Sequence, residues 1–132
     1  MTLERIVYCS RSNVPTDSLL VISEILAVSE RNNRRDNLTG ALAISEGWFL
    51  QVIEGPPTAL DSLLRRLQTD KRHRDFLILQ RREVKTRLFG DWTMASGRIT
   101  PSVGPELTAI INECRNNPDD AVAGLLRIVS SQ

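Results

Sequence analysis

The chain is poor in the residue types that most often carry catalysis. Tyrosine and histidine each occur once, cysteine twice, and aromatic residues make up 5% of 132 residues. The single histidine, His73, lies in the charged run Asp70-Lys71-Arg72-His73-Arg74 with no acid–base partner evident from sequence. It reads as part of a solvated loop, not as a catalytic group. Cys9 and Cys114 have no metal-ligand spacing, so two reduced thiols and no metal site are expected. A dominant charge is also missing: the net value is +1, which gives no attraction for nucleic acid or another polyanion. No apolar run approaches the ~20 residues of a membrane helix. The opening MTLERIVYCSRS lacks the apolar stretch of a signal peptide. A cytoplasmic protein without a membrane partner is expected. There is no internal repeat, no low-complexity segment and no GxGxxG nucleotide motif. The length suits one domain with a single core.

What is present centres on Thr39–Gly55, TGALAISEGWFLQVIEG. It reads as two β-strands joined at Glu46-Gly47, where glycine supplies the positive φ of a two-residue hairpin turn. Strand side chains alternate, so Phe49, Gln51 and Ile53 share one face and Leu50, Val52 and Glu54 the other. Gln51 therefore points where a core should be. A buried carboxamide needs partners for two N–H donors and a carbonyl, from the protein or from a polar ligand.

Around this hairpin the chain alternates helix and strand signals. Arg5–Ser10 is a β-branched and aromatic run, a first strand with Tyr8 on the face of Ile6 and Ser10. Pro15-Thr16-Asp17 predicts a helix start capped by Thr16 or Asp17, running to about Asn32 with a Leu19, Ile22 and Leu26 stripe. Ile25, Ser29 and Asn32 line one flank, and Asn33 follows Ser29 by four. The inner face thus turns polar as the helix ends, although asparagine also simply terminates helices. A second helix follows Gly55-Pro56-Pro57, with Leu60, Leu63, Leu64 and Leu67 as its stripe. Arg66 and Asp70 lie on its flank, where an arginine either grips a phosphate or carbonyl or snorkels to solvent.

Phe76–Val84 and Leu88–Ser96 are expected as two further strands, with Trp92, Met94 and Ser96 on one face. Gly97–Pro105 concentrates glycine and proline, so a core of residues 1–97 and a helical extension of residues 98–132 are expected. The extension carries two stripes: Leu107, Ile110, Ile111 and Cys114 after Pro105, and Val122, Leu125, Leu126 and Val129 after Pro118-Asp119. The order βαββαββ followed by αα predicts an α/β (α+β) ferredoxin-like sandwich. The first two helices cover one sheet face. The extension covers the other, which bears Val7, Cys9, Leu50 and Val52.

These pieces in this order resemble the BLUF domain, a family of blue-light sensors that use flavin. The resemblance runs from about Leu3 to Ala95. It is carried by Tyr8-Cys9-Ser10, Asn32-Asn33, Leu38-Thr39-Gly40-Ala41-Leu42, Phe49-Leu50-Gln51-Val52-Ile53-Glu54-Gly55, Asp70-Lys71-Arg72-His73 and Phe89-Gly90-Asp91-Trp92-Thr93-Met94. Leu38 and Cys9 are minor departures from the family pattern.

The resemblance implies a non-covalent flavin, normally FAD with FMN or riboflavin as alternatives, held between the two core helices. Tyr8 and Gln51 would form the hydrogen-bonding pair beside the ring. Asn33 and Asn32 would meet its polar edge, and Ile25 and Leu67 would sandwich it. Arg66 would reach the ring's C2 side or the phosphate, and Asp70 and Arg72 the ribityl and phosphate. Met94 and Trp92 would lie near Gln51, with either one inward. It further implies a non-enzymatic photoreceptor in which an electron and a proton leave Tyr8 through Gln51. Hydrogen bonds then rearrange, absorption shifts to the red, and the signal passes to a separate downstream protein, with a homo-oligomer also expected. Two other classes stay open: a flavin-dependent oxidoreductase, and a ferredoxin-like interaction module without light sensing.

Overall fold

A computed structural model describes residues 2–96 and 104–131 of the chain. The described residues form one sheet covered by helices on both faces. The elements are β1 (Leu3–Ser12), α1 (Leu19–Asp36), β2 (Thr39–Ser45), β3 (Trp48–Gly55), α2 (Pro57–Thr69), β4 (His73–Val84), β5 (Ala95–Ser96), α3 (Gly104–Glu113) and α4 (Pro118–Ser130). The strands lie in the order β4-β1-β3-β2-β5. The first four pair antiparallel, as the ferredoxin-like expectation requires, and the short β5 adds to β2 in parallel.

The β2–β3 hairpin turns at Glu46 and Gly47, both with positive φ (50° and 83°). Two left-handed central residues define the turn whose twist matches flanking strands. The non-glycine Glu46 therefore adopts a conformation that side chains disfavour. Close packing fixes β2 against β3 at Gly40, where an added Cβ would lie 2.1 Å from the Val52 carbonyl oxygen.

Two expected boundaries move. The α1 cap is Ser18, whose side chain accepts from the Val21 amide, in place of Thr16 or Asp17. The helix continues past Asn32 to Asp36 and ends on Asn37 in the left-handed conformation (φ 58°), with the Asn37 amide on the Asn33 carbonyl. Asn32 and Asn33 are thus helical residues with side chains free for other work, and Asn37 is the terminator.

The strand expected over Leu88–Ser96 reduces to Ala95–Ser96. Its remainder is pinned as a turn by Glu54. That carboxylate, fully buried, accepts from the Leu88 amide at 2.9 Å and the Phe89 amide at 2.7 Å, and pairs with Arg5 Nε at 2.8 Å. Backbone donors committed to a carboxylate cannot join a ladder. The Trp92 amide then bonds back to the Phe89 carbonyl, and the Gly40 amide to the Trp92 carbonyl. In consequence Trp92 and Met94 do not share a face. Trp92 packs on the core beneath α3 and α4, whereas Met94 packs between the clusters under α1 and α2.

One sheet face carries Val7, Cys9, Ala43, Leu50 and Val52 against Leu107, Ile111, Cys114, Val122, Leu125 and Val129. The C-terminal helices cover it, as their stripes predict. The other face carries Ile6, Ile53, Leu42, Ile44 and Phe49 against α1 and α2. Burial of these side chains supplies the stabilisation, about 25 cal/mol per Å² of apolar surface removed from water. The boundary expected at residues 97 and 98 lies outside the described residues. Among the described residues no helix is long and apolar enough to cross a membrane.

Candidate functional site

Tyr8 and Gln51 are direct register partners between β1 and β3, so their side chains rise from the same face. Leu42 stands opposite Gln51 on its other side. The Tyr8 hydroxyl donates to Gln51 Oε1, and both residues are buried. Gln51 Nε2 reaches Met94 Sδ at 3.7 Å. Sulfur accepts weakly, so the carboxamide retains donor capacity, and its carbonyl retains a second lone pair. The Tyr8 ring packs on Phe76 at 4.7 Å between centroids. Burial holds the Tyr8 phenol above its ordinary range; the nearby Asp70 charge adds to this and Arg72 opposes it.

Above this pair opens a cavity of about 290 Å³ between α1 and α2. That is close to the lower bound of ~300 Å³ for small-molecule sites. Every residue assigned from sequence to hold a flavin lines it: Tyr8, Ile25, Asn32, Asn33, Gln51, Arg66, Leu67, Asp70 and Arg72. Helical spacing places Ile25, Ser29 and Asn32 on one wall, and Leu63, Arg66, Leu67 and Asp70 on the facing wall. Each wall contributes both aliphatic and polar side chains: Ile25 with Asn32 from α1, and Leu67 with Arg66 from α2.

The polar groups also have partners within the protein. Asn33, 2% exposed, donates from Nδ2 to the Thr93 carbonyl at 2.7 Å. Arg66 pairs with Asp36 at 3.2 Å, tying α2 to the end of α1. Arg72 pairs with Asp70 at 2.6 Å and holds its carboxyl below the ordinary value. Trp92, expected near Gln51, lies on the opposite side of the sheet against Phe89. Met94 is the residue at Gln51.

Sequence reasoning passed over Val28, Phe49 and His73, which also line the cavity. Phe49 shares a strand face with Gln51, and that alternation could have found it. His73 carried no such signal. It begins β4 and is half-buried, not part of a solvated loop. Among the described residues no cluster of His, Cys, Asp or Glu could hold a metal ion.

The donor set suits a flat heterocycle with a polar rim. Aliphatic side chains from two helices can cover its faces, and carboxamides, which both donate and accept, can meet adjacent ring carbonyls and N–H groups. The family description "Sensors of blue-light using FAD" matches residues 3–95. The chain belongs to the BLUF family. It is a blue-light sensor of that family, and flavin binding comes with membership. Photoactivated adenylate cyclase subunit beta of Euglena longa is 33% identical over 98 residues, 74% of this chain and 11% of that protein. The Euglena gracilis protein of the same name is 33% identical over 93 residues, again 11% of its length. The chain thus spans about a tenth of the length of these curated relatives, and their cyclase activity stays theirs. BlrB, a BLUF protein solved in its dark state, superposes with a TM-score of 0.76 at 30% identity, covering 98% of this chain and 96% of that one. BlsA in its ground state superposes with a TM-score of 0.80 at 21% identity, covering 94% and 87%; at that identity the likeness speaks to fold alone.

Proposed function

We propose that this BLUF domain holds FAD in the cavity between α1 and α2 and signals by rearranging the Tyr8–Gln51 hydrogen bond. The observation that carries the reading is that bond, buried and facing a cavity lined by both aliphatic and polar side chains of α1 and α2. Ile25 and Leu67 would hold the ring by its faces, Asn32, Asn33 and Gln51 by its polar edge. Arg66, Asp70 and Arg72 would hold the ribityl and phosphate part; two arginines there favour a phosphate-bearing flavin over riboflavin. A bound flavin supplies blue-light absorption and, once excited, a strong oxidant.

The protein's own part begins at Tyr8, an easily oxidised phenol. Loss of an electron makes the phenol strongly acidic, and its proton moves along the existing bond to Gln51 Oε1. When the electron and proton return, the carboxamide is left rotated or tautomerised, with its donor end redirected. Met94 Sδ loses or changes its N–H partner in that event. Met94 leads into β5 and the helical extension, residues 98–132 in this reading, which follows the flavin-binding core of residues 1–97. The output is then a change in how the extension or the sheet beneath it meets a separate signalling protein or a second copy of the chain. The reading is that of a cytoplasmic sensor, not of an enzyme.

The deciding experiment is an absorption spectrum of the FAD-reconstituted protein before and after blue light. A small reversible red shift is expected in the native chain and none in Gln51→Leu, with flavin retained in both. A full shift in Gln51→Leu removes Gln51 from the mechanism.

A further inference from the structure

His73 is joined to two other elements by hydrogen bonds at both ring nitrogens. Nε2 lies 2.6 Å from the Leu67 carbonyl oxygen, and Nδ1 lies 2.8 Å from Ser10 Oγ. A carbonyl only accepts, so Nε2 carries the proton. In the neutral ring Nδ1 is then the acceptor, and the Ser10 hydroxyl donates to it.

Both partners lie beside the site. Ser10 is fully buried on β1, two residues from Tyr8 and on the same face. Its hydroxyl needs a partner there, and the imidazole provides one. Leu67 is in the last turn of α2, whose final carbonyls have no partner inside the helix. The Asp70 amide also approaches the Leu67 carbonyl, at 3.3 Å, but His73 makes the shorter bond. The ring itself cannot swing freely. Phe76 meets it edge-on at 5.7 Å between centroids and Phe49 at 6.5 Å, and Phe76 also packs on the Tyr8 ring.

We propose that His73 is a positioning residue of the photoreaction: its Nε2–H tautomer spans the gap between the end of α2 and β1, and so fixes Leu67 and Asp70 relative to the Tyr8 phenol. The inference rests on the function proposed above. A planar ring bonded at both nitrogens is a rigid spacer, and small errors of placement at a reacting pair are costly in rate. No proton need leave His73 for this role.

The side-chain amides separate the two bonds. Glutamine can place an N–H near the position of Nε2, and asparagine can place an acceptor near that of Nδ1. The first measurement needs no flavin. Nitrogen-15 NMR of the full chain should show the neutral His73 ring carrying its proton on Nε2; a proton on Nδ1 alone overturns the proposal.

The second compares His73→Leu, His73→Gln and His73→Asn after reconstitution with FAD. His73→Leu should retain flavin but change the dark-recovery rate of the red-shifted state by ~10-fold or more. His73→Gln should return that rate to within about twofold of native, given how precisely a site must be held. His73→Asn should fall between. If His73→Leu does not fold, the Gln and Asn variants decide: equal recovery rates in both, at the native value, overturn the proposal. Native recovery in His73→Leu also overturns it. If the native chain shows no red shift with FAD, the proposed function fails by itself and the tautomer result still stands.

Discussion

Asn33 on α1 donates to the backbone carbonyl of Thr93, 2.7 Å away, and so ties the wall of the cavity to the segment that carries Met94. A residue that faces the cavity is therefore also a tether of the chain leaving it. Replacing it by alanine leaves the Thr93 carbonyl without this donor. The expected cost is about 0.5–1.5 kcal/mol of folding stability, the net worth of one hydrogen bond whose carbonyl is only part-buried. Amide exchange should quicken over residues 88–94 more than over β1 or β3. Unchanged exchange in that segment would show that the Glu54 and Gly40–Trp92 bonds hold it without Asn33.

Glu54 performs the larger anchoring task at the other end of this segment. It is fully buried, and Arg5 is 9% exposed. Glu54→Leu would leave the Arg5 guanidinium without its charge partner and two amides without an acceptor. Removing one partner of a buried pair typically costs ~3–5 kcal/mol. Urea unfolding should record a loss in that range, and Arg5→Met combined with Glu54→Leu should recover part of it.

Tyr8 is the only tyrosine, so an alkaline absorbance titration of phenolate formation reads it alone. Desolvation raises its pKa from the ordinary 10.0, with Asp70 acting in the same direction. A raised pKa favours the protonated phenol in the folded state. Stability from this group is fully present below pH 10 and is lost as pH rises beyond it. Phenolate absorbance should therefore be absent at pH ~11 while the fold persists, and should appear together with unfolding. Titration near pH 10 in the folded chain would contradict the burial of this ring.

Asp70 has the opposite sign. Hydrogen bonding to Arg72 lowers its pKa from 3.8. Its contribution is present above pH 3.8 and is lost as pH falls through the lower folded value. The acid limb of native stability should be steeper than that of Asp70→Asn. Because the pair is partly exposed, the difference should shrink in added salt. Equal acid limbs for the two proteins would remove the Asp70–Arg72 pair from the stability account.

Most of the sheet and the four helices of the described residues were legible in the sequence, because alternation in strands and the 3.6-residue period in helices are local properties. So was the inward glutamine: its neighbours Phe49 and Ile53 fix its face wherever the strand lies. The spacing of Ile25, Ser29 and Asn32 announced a polar-tipped helix flank, and the stripes of α3 and α4 announced that the far sheet face would be covered. Order along the chain, together with these residues, also carried the family resemblance.

What local pattern could not carry was competition between distant groups. Leu88–Met94 has strand-like residues, yet the amides of Leu88 and Phe89 are taken by Glu54, some thirty-five positions earlier in the chain. That capture separates Trp92 from Met94 and gives Gln51 a sulfur neighbour. His73 looked like part of a charged loop because its partners, Ser10 and Leu67, come from two other elements. Residue types and their periods determined which elements form and which faces they bury. Only the folded chain decided which buried donor meets which acceptor, since a hydrogen bond is made by position in space and not by separation along the sequence.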